Sequence, residues 1–129
     1  MQSEAVKKRI LVIEDDAVGR TLVHDYLVAH GYAVIAAVNG AEGLELAKLL
    51  RPDLVLCDVL LPKKNGFEVC FELKRPSNGP PLPVVLMSAI LSNRDEKKYA
   101  ESDLHADAVL VKPFAMSAML ARVEQLLAA

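Results

Sequence analysis

Five short aliphatic runs lie at 10–13, 33–38, 54–57, 84–87 and 108–111. Each is too short for a helix and rich in Val, Ile, Leu or Ala, so each reads as a strand. None alternates cleanly between apolar and polar residues. Strands of that kind hide both faces, and sheets covered on both faces are parallel, with a helix in each crossover. The intervening segments carry helical spacing: Val18, Leu22, Tyr26 and Leu27; Leu44, Ala47 and Leu50; Val69 and Leu73; and Met116, Leu120, Val123 and Leu127. A polar stretch around 95–102 is the remaining helix, with a sparse apolar face. Asp16 is placed to cap the first helix and Gly31 to end it. Asn39-Gly40 turns into the second helix, Pro52 closes it, and Gly66 opens the third. The stretch 75–83, RPSNGPPLP, is a loop by composition. The expected fold is α/β: a doubly wound, five-stranded parallel sheet with five helices and right-handed crossovers.

A chain of 129 residues fits one domain, 1–129, with a short tail at 1–8 and a core over about 9–127. At 53% apolar residues it can bury a core without staples. The net charge is −2, and no basic run exceeds Lys7-Lys8-Arg9. That argues against direct nucleic-acid contact. The N-terminus lacks a hydrophobic signal core, and no apolar run approaches the roughly 20 residues of a membrane span. Cys57 and Cys70 have no paired spacing and read as free thiols and small core residues. The expected location is cytoplasmic.

In open sheets of this kind, ligands bind beyond the carboxyl ends of the strands. Strand one is followed by Glu14, Asp15 and Asp16, and strand three by Asp58. Strand four ends at Ser88, strand five at Lys112-Pro113, and strand two only at Asn39. A carboxylate at a buried strand end is costly unless compensated. Glu14, Asp15 and Asp58 facing one another would repel by about 4 kcal/mol per pair at ~4 Å and an effective dielectric near 20. Oxygen ligands with no His or Cys among them suit Mg²⁺ and not zinc. His24, His30 and His105 are scattered and read as surface or structural residues. A carboxylate beside a cation and a lysine can attack phosphorus, as aspartyl-phosphate chemistry requires. The cation, Lys112 and Ser88 supply partners for the three phosphoryl oxygens. Singly, each residue has a bland reading: a cap for Asp16 or Asp15, a turn for Asp58, a solvated loop for Lys112. Their joint placement at four strand ends carries the argument.

Four stretches, ILVIEDDAVGR, DLVLCDVLLPKKNGFEV, PVVLMSA and ADAVLVKPF, resemble in order the motifs of receiver domains of two-component response regulators, chemotaxis regulators among them. The resemblance implies a flavodoxin-like sheet of order 2-1-3-4-5. It implies a signalling switch and not an enzyme, with Asp58 as phosphoacceptor for a sensor histidine kinase or phosphotransfer protein. Asp15, Asp58 and the Leu60 backbone carbonyl would bind Mg²⁺, with Glu14 acting through water. Ser88 fills the Ser/Thr switch position, Ala89 the small residue after it, and Lys112 the phosphoryl-contacting lysine, whose bond to Pro113 is usually cis in this family. Pro62 and Gly66 fill loop positions after the acceptor. Leu60 and Ile90 flank the path of hydrolytic water, and both are apolar, which points to slow loss of the phosphoryl group. Val109 stands where many receivers carry an aromatic that turns inward, and His105 replaces a common Gly. The 88–112 segment is slightly long for the family. Output is then expected from Ser88 and the loop after Ala89, through the face of helix four, strand five and helix five, including Tyr99.

Three other readings compete. A receiver-like module that is not phosphorylated would have lost the acceptor, an acid or the lysine, and all are present. A flavin carrier would need a hydroxyl- and glycine-rich phosphate loop where Glu14-Asp15-Asp16 stands. A phosphatase with an aspartyl nucleophile would carry a second Asp where Leu60 sits. The sequence names no kinase or signal, and leaves monomer and homodimer open. A downstream effector is a separate protein or a domain of a longer chain, since no effector follows Ala129 in this sequence.

Overall fold

The structure, a computed structural model, describes residues 6–75, 79–89 and 97–128. Five strands, β1 (Arg9–Ile13), β2 (Ala33–Ala37), β3 (Leu54–Asp58), β4 (Val84–Ser88) and β5 (Ala108–Val111), form one sheet of order β2-β1-β3-β4-β5. Every pairing is parallel. The helices are α1 (Ala17–Ala29), α2 (Gly40–Leu50), α3 (Gly66–Leu73), α4 (Tyr99–Asp103) and α5 (Met116–Ala128). The expected architecture and strand order are those observed. The fourth helix is α-helical at 97 and 98 and π-helical over Tyr99–Asp103, and residues 95 and 96 of the expected helix lie outside the described residues.

The aliphatic runs sort by parity into two cores. Leu11, Ile13, Val55, Cys57, Val84 and Leu86 pack with Leu44 and Ala47 of α2, Val69, Cys70 and Leu73 of α3, and Ala100 of α4. Ile10, Val12, Leu54, Leu56, Val85 and Met87 face the other way, against Val23 and Leu27 of α1 and Met119 and Val123 of α5. This is the two-residue period of a strand applied to a sheet covered on both sides. Cys57 and Cys70 are buried free thiols.

Three helices that follow strand ends start on side-chain caps. Asp16 accepts from the Gly19 N–H at 2.8 Å, and Asn39 from the Glu42 N–H at 2.8 Å. Asn65 accepts from the Glu68 N–H at 3.0 Å, while Glu68 accepts from the Asn65 N–H at 3.3 Å. This reciprocal pair closes a capping box that the sequence reading passed over. Such caps contribute about 1 kcal/mol each. Gly31 ends α1 with φ +94, and Arg51 takes a left-handed φ of 46 just before Pro52. His105 also has a positive φ, 59, the backbone reason a glycine suits that position. His30 and His105 are exposed, and His24 is partly exposed. Strand β2 is one residue shorter than expected: the Val38 N–H leaves the ladder and donates to Glu42 Oε1 at 3.1 Å.

Helix α2 begins hard against the loop that follows β3. The Gly40 N–H donates to the Pro62 carbonyl at 3.4 Å, and a Cβ on Gly40 would lie 1.9 Å from the Lys64 carbonyl oxygen. Replacing a helical Gly by Ala normally gains up to about 1 kcal/mol from helix propensity. Here the obstacle is backbone, and overpacking costs about 1–3 kcal/mol. Gly40→Ala should therefore lower stability by about 1–2 kcal/mol in urea unfolding, and a gain in stability would show that the loop yields freely.

Candidate functional site

The register of the sheet assembles the site. Ile13 pairs with Cys57, so the next residues, Glu14 and Asp58, stand side by side. Pairing continues past the strands: the Glu14 N–H donates to the Ala37 carbonyl at 3.0 Å, and the Lys112 N–H to the Ser88 carbonyl at 2.9 Å. Glu14 and Asp58 are only 3% and 7% exposed, Ser88 is fully buried, and Asp15 is exposed. Carboxylate oxygens of Glu14, Asp15 and Asp58 lie within 4.8 Å of one another. The Lys112 ammonium reaches between two of them, 2.5 Å from Glu14 Oε1 and 3.5 Å from Asp58 Oδ2. The Lys112–Pro113 peptide is cis. Gly66 lets α3 begin against the end of β3: its N–H donates to the Val59 carbonyl at 2.8 Å, and a Cβ there would lie 2.3 Å from the Asp58 carbonyl oxygen.

The crowding is legible in the protonation chemistry. The Asp58 carboxyl is pushed up to about 7 by burial, by a hydrogen bond with Glu14 and by the Glu14 charge, against the opposing pull of Lys112. Burial works against the Lys112 charge, yet its hydrogen bond to Glu14 and the charges of Asp58 and Glu14 outweigh that, holding the ammonium above its ordinary range. Among the described residues three carboxylates face one lysine, so the cluster lacks positive charge. All three offer hard oxygen ligands, with no His or Cys atom in the group. This donor set fits a divalent cation of the Mg²⁺ type.

Other residues singled out from the sequence lie around this centre. Ala89 is exposed, and Leu60 is 57% exposed with an apolar side chain. Ile90 lies outside the described residues. Val109 pairs with Leu86 and is packed, partly buried, against the α2–α3–α4 core. Tyr99 is 47% exposed on α4 and meets Phe67 edge-on at 5.8 Å between ring centroids. The sequence reading missed Arg20, whose Nη1 donates to the backbone carbonyls of Glu14 at 2.9 Å and Asp15 at 3.2 Å. Its only signal was a basic residue one turn after three acids.

With the geometry in place, comparison with known proteins defines the class. Residues 10–124 match the response regulator receiver domain. The chain belongs to the receiver domain family of two-component response regulators. It is 43% identical over 119 residues to the DNA-binding dual master transcriptional regulator RpaA of Synechocystis, covering 92% of this chain and 48% of that protein. It is 40% identical over 121 residues to the response regulator MprA of Mycobacterium sp. strain KMS, covering 92% and 50%. The chain therefore spans about half the length of these curated relatives. Its fold superposes on the chemotaxis response regulator CheY4 of Vibrio cholerae with a TM-score of 0.84 at 27% identity, covering 94% of this chain and 99% of that one. Among the described residues no helix is long and apolar enough to cross a membrane.

The raised Asp58 carboxyl has a consequence for stability. Its ordinary value, 3.8, stands for the unfolded chain, and about 7 for the folded one. Between these values the folded state holds a proton that the unfolded state has released, so Asp58 lowers stability as pH rises, fully so above about 7. Without metal, Asp58→Asn should raise the unfolding free energy by about 1–3 kcal/mol at pH 8. The gain should shrink as pH falls from about 7 toward 4. Chemical denaturation in EDTA across that range checks this, and a variant less stable than wild type at pH 8 would contradict it.

Proposed function

We propose that this receiver domain is a phosphorylation-activated switch with Asp58 as phosphoacceptor. The observation that carries the reading is the Lys112 ammonium lodged between buried Glu14 and Asp58, with Asp15 at the same point. Glu14, Asp15 and Asp58 are the residues that would hold Mg²⁺, which when bound supplies the positive charge that lets an anionic phosphoryl group approach three carboxylates. The ionised Asp58 carboxylate attacks phosphorus, a carboxyl oxygen–phosphorus bond forms, and the bond to the donor breaks, leaving the dephosphorylated donor. Lys112 then has a phosphoryl oxygen to face as well as Glu14, and the buried Ser88 hydroxyl can turn to another. The donor is a sensor histidine kinase or phosphotransfer protein, by membership of the family. The output surface is the face of α4, β5 and α5, and the receiving partner is an effector domain or protein; the half-exposed ring of Tyr99 on α4 meets Phe67 of α3.

Acetyl phosphate with Mg²⁺ should label the wild type by one phosphoryl group. Asp58→Asn should not be labelled, and Lys112→Ala should be labelled about 10²-fold more slowly or signal poorly once labelled. Labelling of Asp58→Asn at the wild-type level would overturn the assignment. Beryllofluoride binding separates this reading from that of an unphosphorylated interaction module, which would not bind it.

Leu60 presents an exposed apolar side chain two residues beyond the acceptor. It offers no group to orient a water for in-line attack, and positioning is a large part of phosphoryl-transfer catalysis. Leu60→Asn should therefore shorten the phosphoryl lifetime severalfold, more so with Ile90→Glu. An unchanged lifetime in the double variant would reject the role of these positions.

A further inference from the structure

Glu14 and Asp15 are consecutive residues, yet both carboxylates come within 4.8 Å of Asp58. In an extended strand, consecutive side chains point to opposite faces and consecutive carbonyls point opposite ways. The backbone beyond Ile13 has therefore left strand geometry. Its carbonyls record the same change, because those of Glu14 and Asp15 accept from a single nitrogen, Arg20 Nη1. One guanidinium thus fastens the curl that turns two successive acids to one point.

The first turn of α1 is built to deliver that guanidinium. Asp16 caps the helix, and the Arg20 N–H donates to the Asp16 carbonyl at 2.9 Å. Gly19 allows the turn to sit close: a Cβ there would lie 3.1 Å from Asp16 Oδ2 and 3.4 Å from Glu14 Oε1. Arg20 is half-buried, and its bond to the Glu14 carbonyl is partly sheltered from water while the bond to Asp15 is exposed. Arginine suits the task because its planar fork loses little freedom for each bond formed.

We infer that Arg20 is a positioning residue for the acidic cation site, holding the Glu14–Asp15 backbone in the curl that presents both carboxylates beside Asp58. The inference rests on the metal-assisted phosphoacceptor reading above. Its test has a distinctive sign. Arg20 carries positive charge near a cation site, so by charge alone its removal should tighten Mg²⁺ binding. By positioning, removal should weaken it, as loss of groups that orient metal ligands typically does by about tenfold or more.

Mg²⁺ affinity is measured by titration calorimetry on wild type, Arg20→Ala, Arg20→Lys and Asp15→Ala, with thermal unfolding of each in EDTA. Arg20→Ala should bind Mg²⁺ about tenfold more weakly. Arg20→Lys, which keeps the charge without the fork, should recover part of that loss. Val23→Ala, which removes packing under α1 away from the loop, should lower the melting temperature and leave Mg²⁺ affinity unchanged. Wild-type or tighter binding by Arg20→Ala, with Asp15→Ala defective, overturns the role of Arg20 alone. Wild-type binding by Asp15→Ala overturns the site reading and the inference with it. Equal weakening by Val23→Ala would assign the effect to α1 packing and overturn the inference. If Arg20→Ala does not fold, Arg20→Lys decides: wild-type affinity in that variant overturns it.

Discussion

Pairing of Ile13 with Cys57 is the constraint on which both core and site depend. A slip of one residue would place Glu14 and Asp58 out of step. It would also turn Leu11 and Ile13 away from the α2–α3–α4 layer and Ile10 and Val12 away from the α1–α5 layer. The apolar packing thus enforces the register that the site requires. Magnitudes agree with that order of cause. Close carboxylates cost about 4 kcal/mol per pair at an intermediate dielectric. Full burial of each Val, Leu or Ile contributes about 1.5–3 kcal/mol, and β1 alone buries Ile10, Leu11, Val12 and Ile13 completely. The core therefore tolerates an electrostatically unfavourable edge, and Lys112 reduces the cost only in part.

The far side of the sheet shows what an ion pair does when charges are matched. Lys74 Nζ lies 2.8 Å from Asp107 Oδ2 and donates to the Leu82 carbonyl at 3.0 Å, while Asp107 accepts from the Val84 N–H at 2.8 Å. There each charge has a partner and the link ties the end of α3 to the starts of β4 and β5. At the Asp58 edge, three acids share one lysine among the described residues. The contrast separates a structural staple from an edge left open to chemistry.

Most of the fold was legible because its signals were redundant. Val55, Leu56 and Cys57 say strand by residue type, by run length and by the Asp53 and Asp58 that bracket them. Asp58, Lys112, Glu14 and Asp15 were legible as a set because strand ends converge. What escaped was of two kinds. Asn65 and Glu68 spell a capping box three residues apart, and Gly66 between them marks the helix start without showing what caps it. Arg20 could not be found, because its role lies in backbone carbonyls, and no residue type advertises a carbonyl that has turned. The π-helical winding of α4 was equally hidden, since its sparse apolar face fixes no helical pitch. The closeness of Lys112 to Glu14, nearer than to Asp58, depended on side-chain geometry that spacing does not encode.

The two thiols sit in only one of the two layers. Cys57 and Cys70 both belong to the core beneath α2, α3 and α4. Burial pushes both thiols up, Cys70 to about 12 and Cys57 well above its ordinary range. A thiol-reactive probe needs the thiolate, so the closed protein at neutral pH presents it almost nothing to react with. Each modification event must wait until that layer parts from the sheet. The rate of probe uptake is accordingly a clock for local opening on the α2–α3–α4 side, blind to α1 and α5. The protein carries, without any added label, a reporter that distinguishes breathing of one half of its body from breathing of the other.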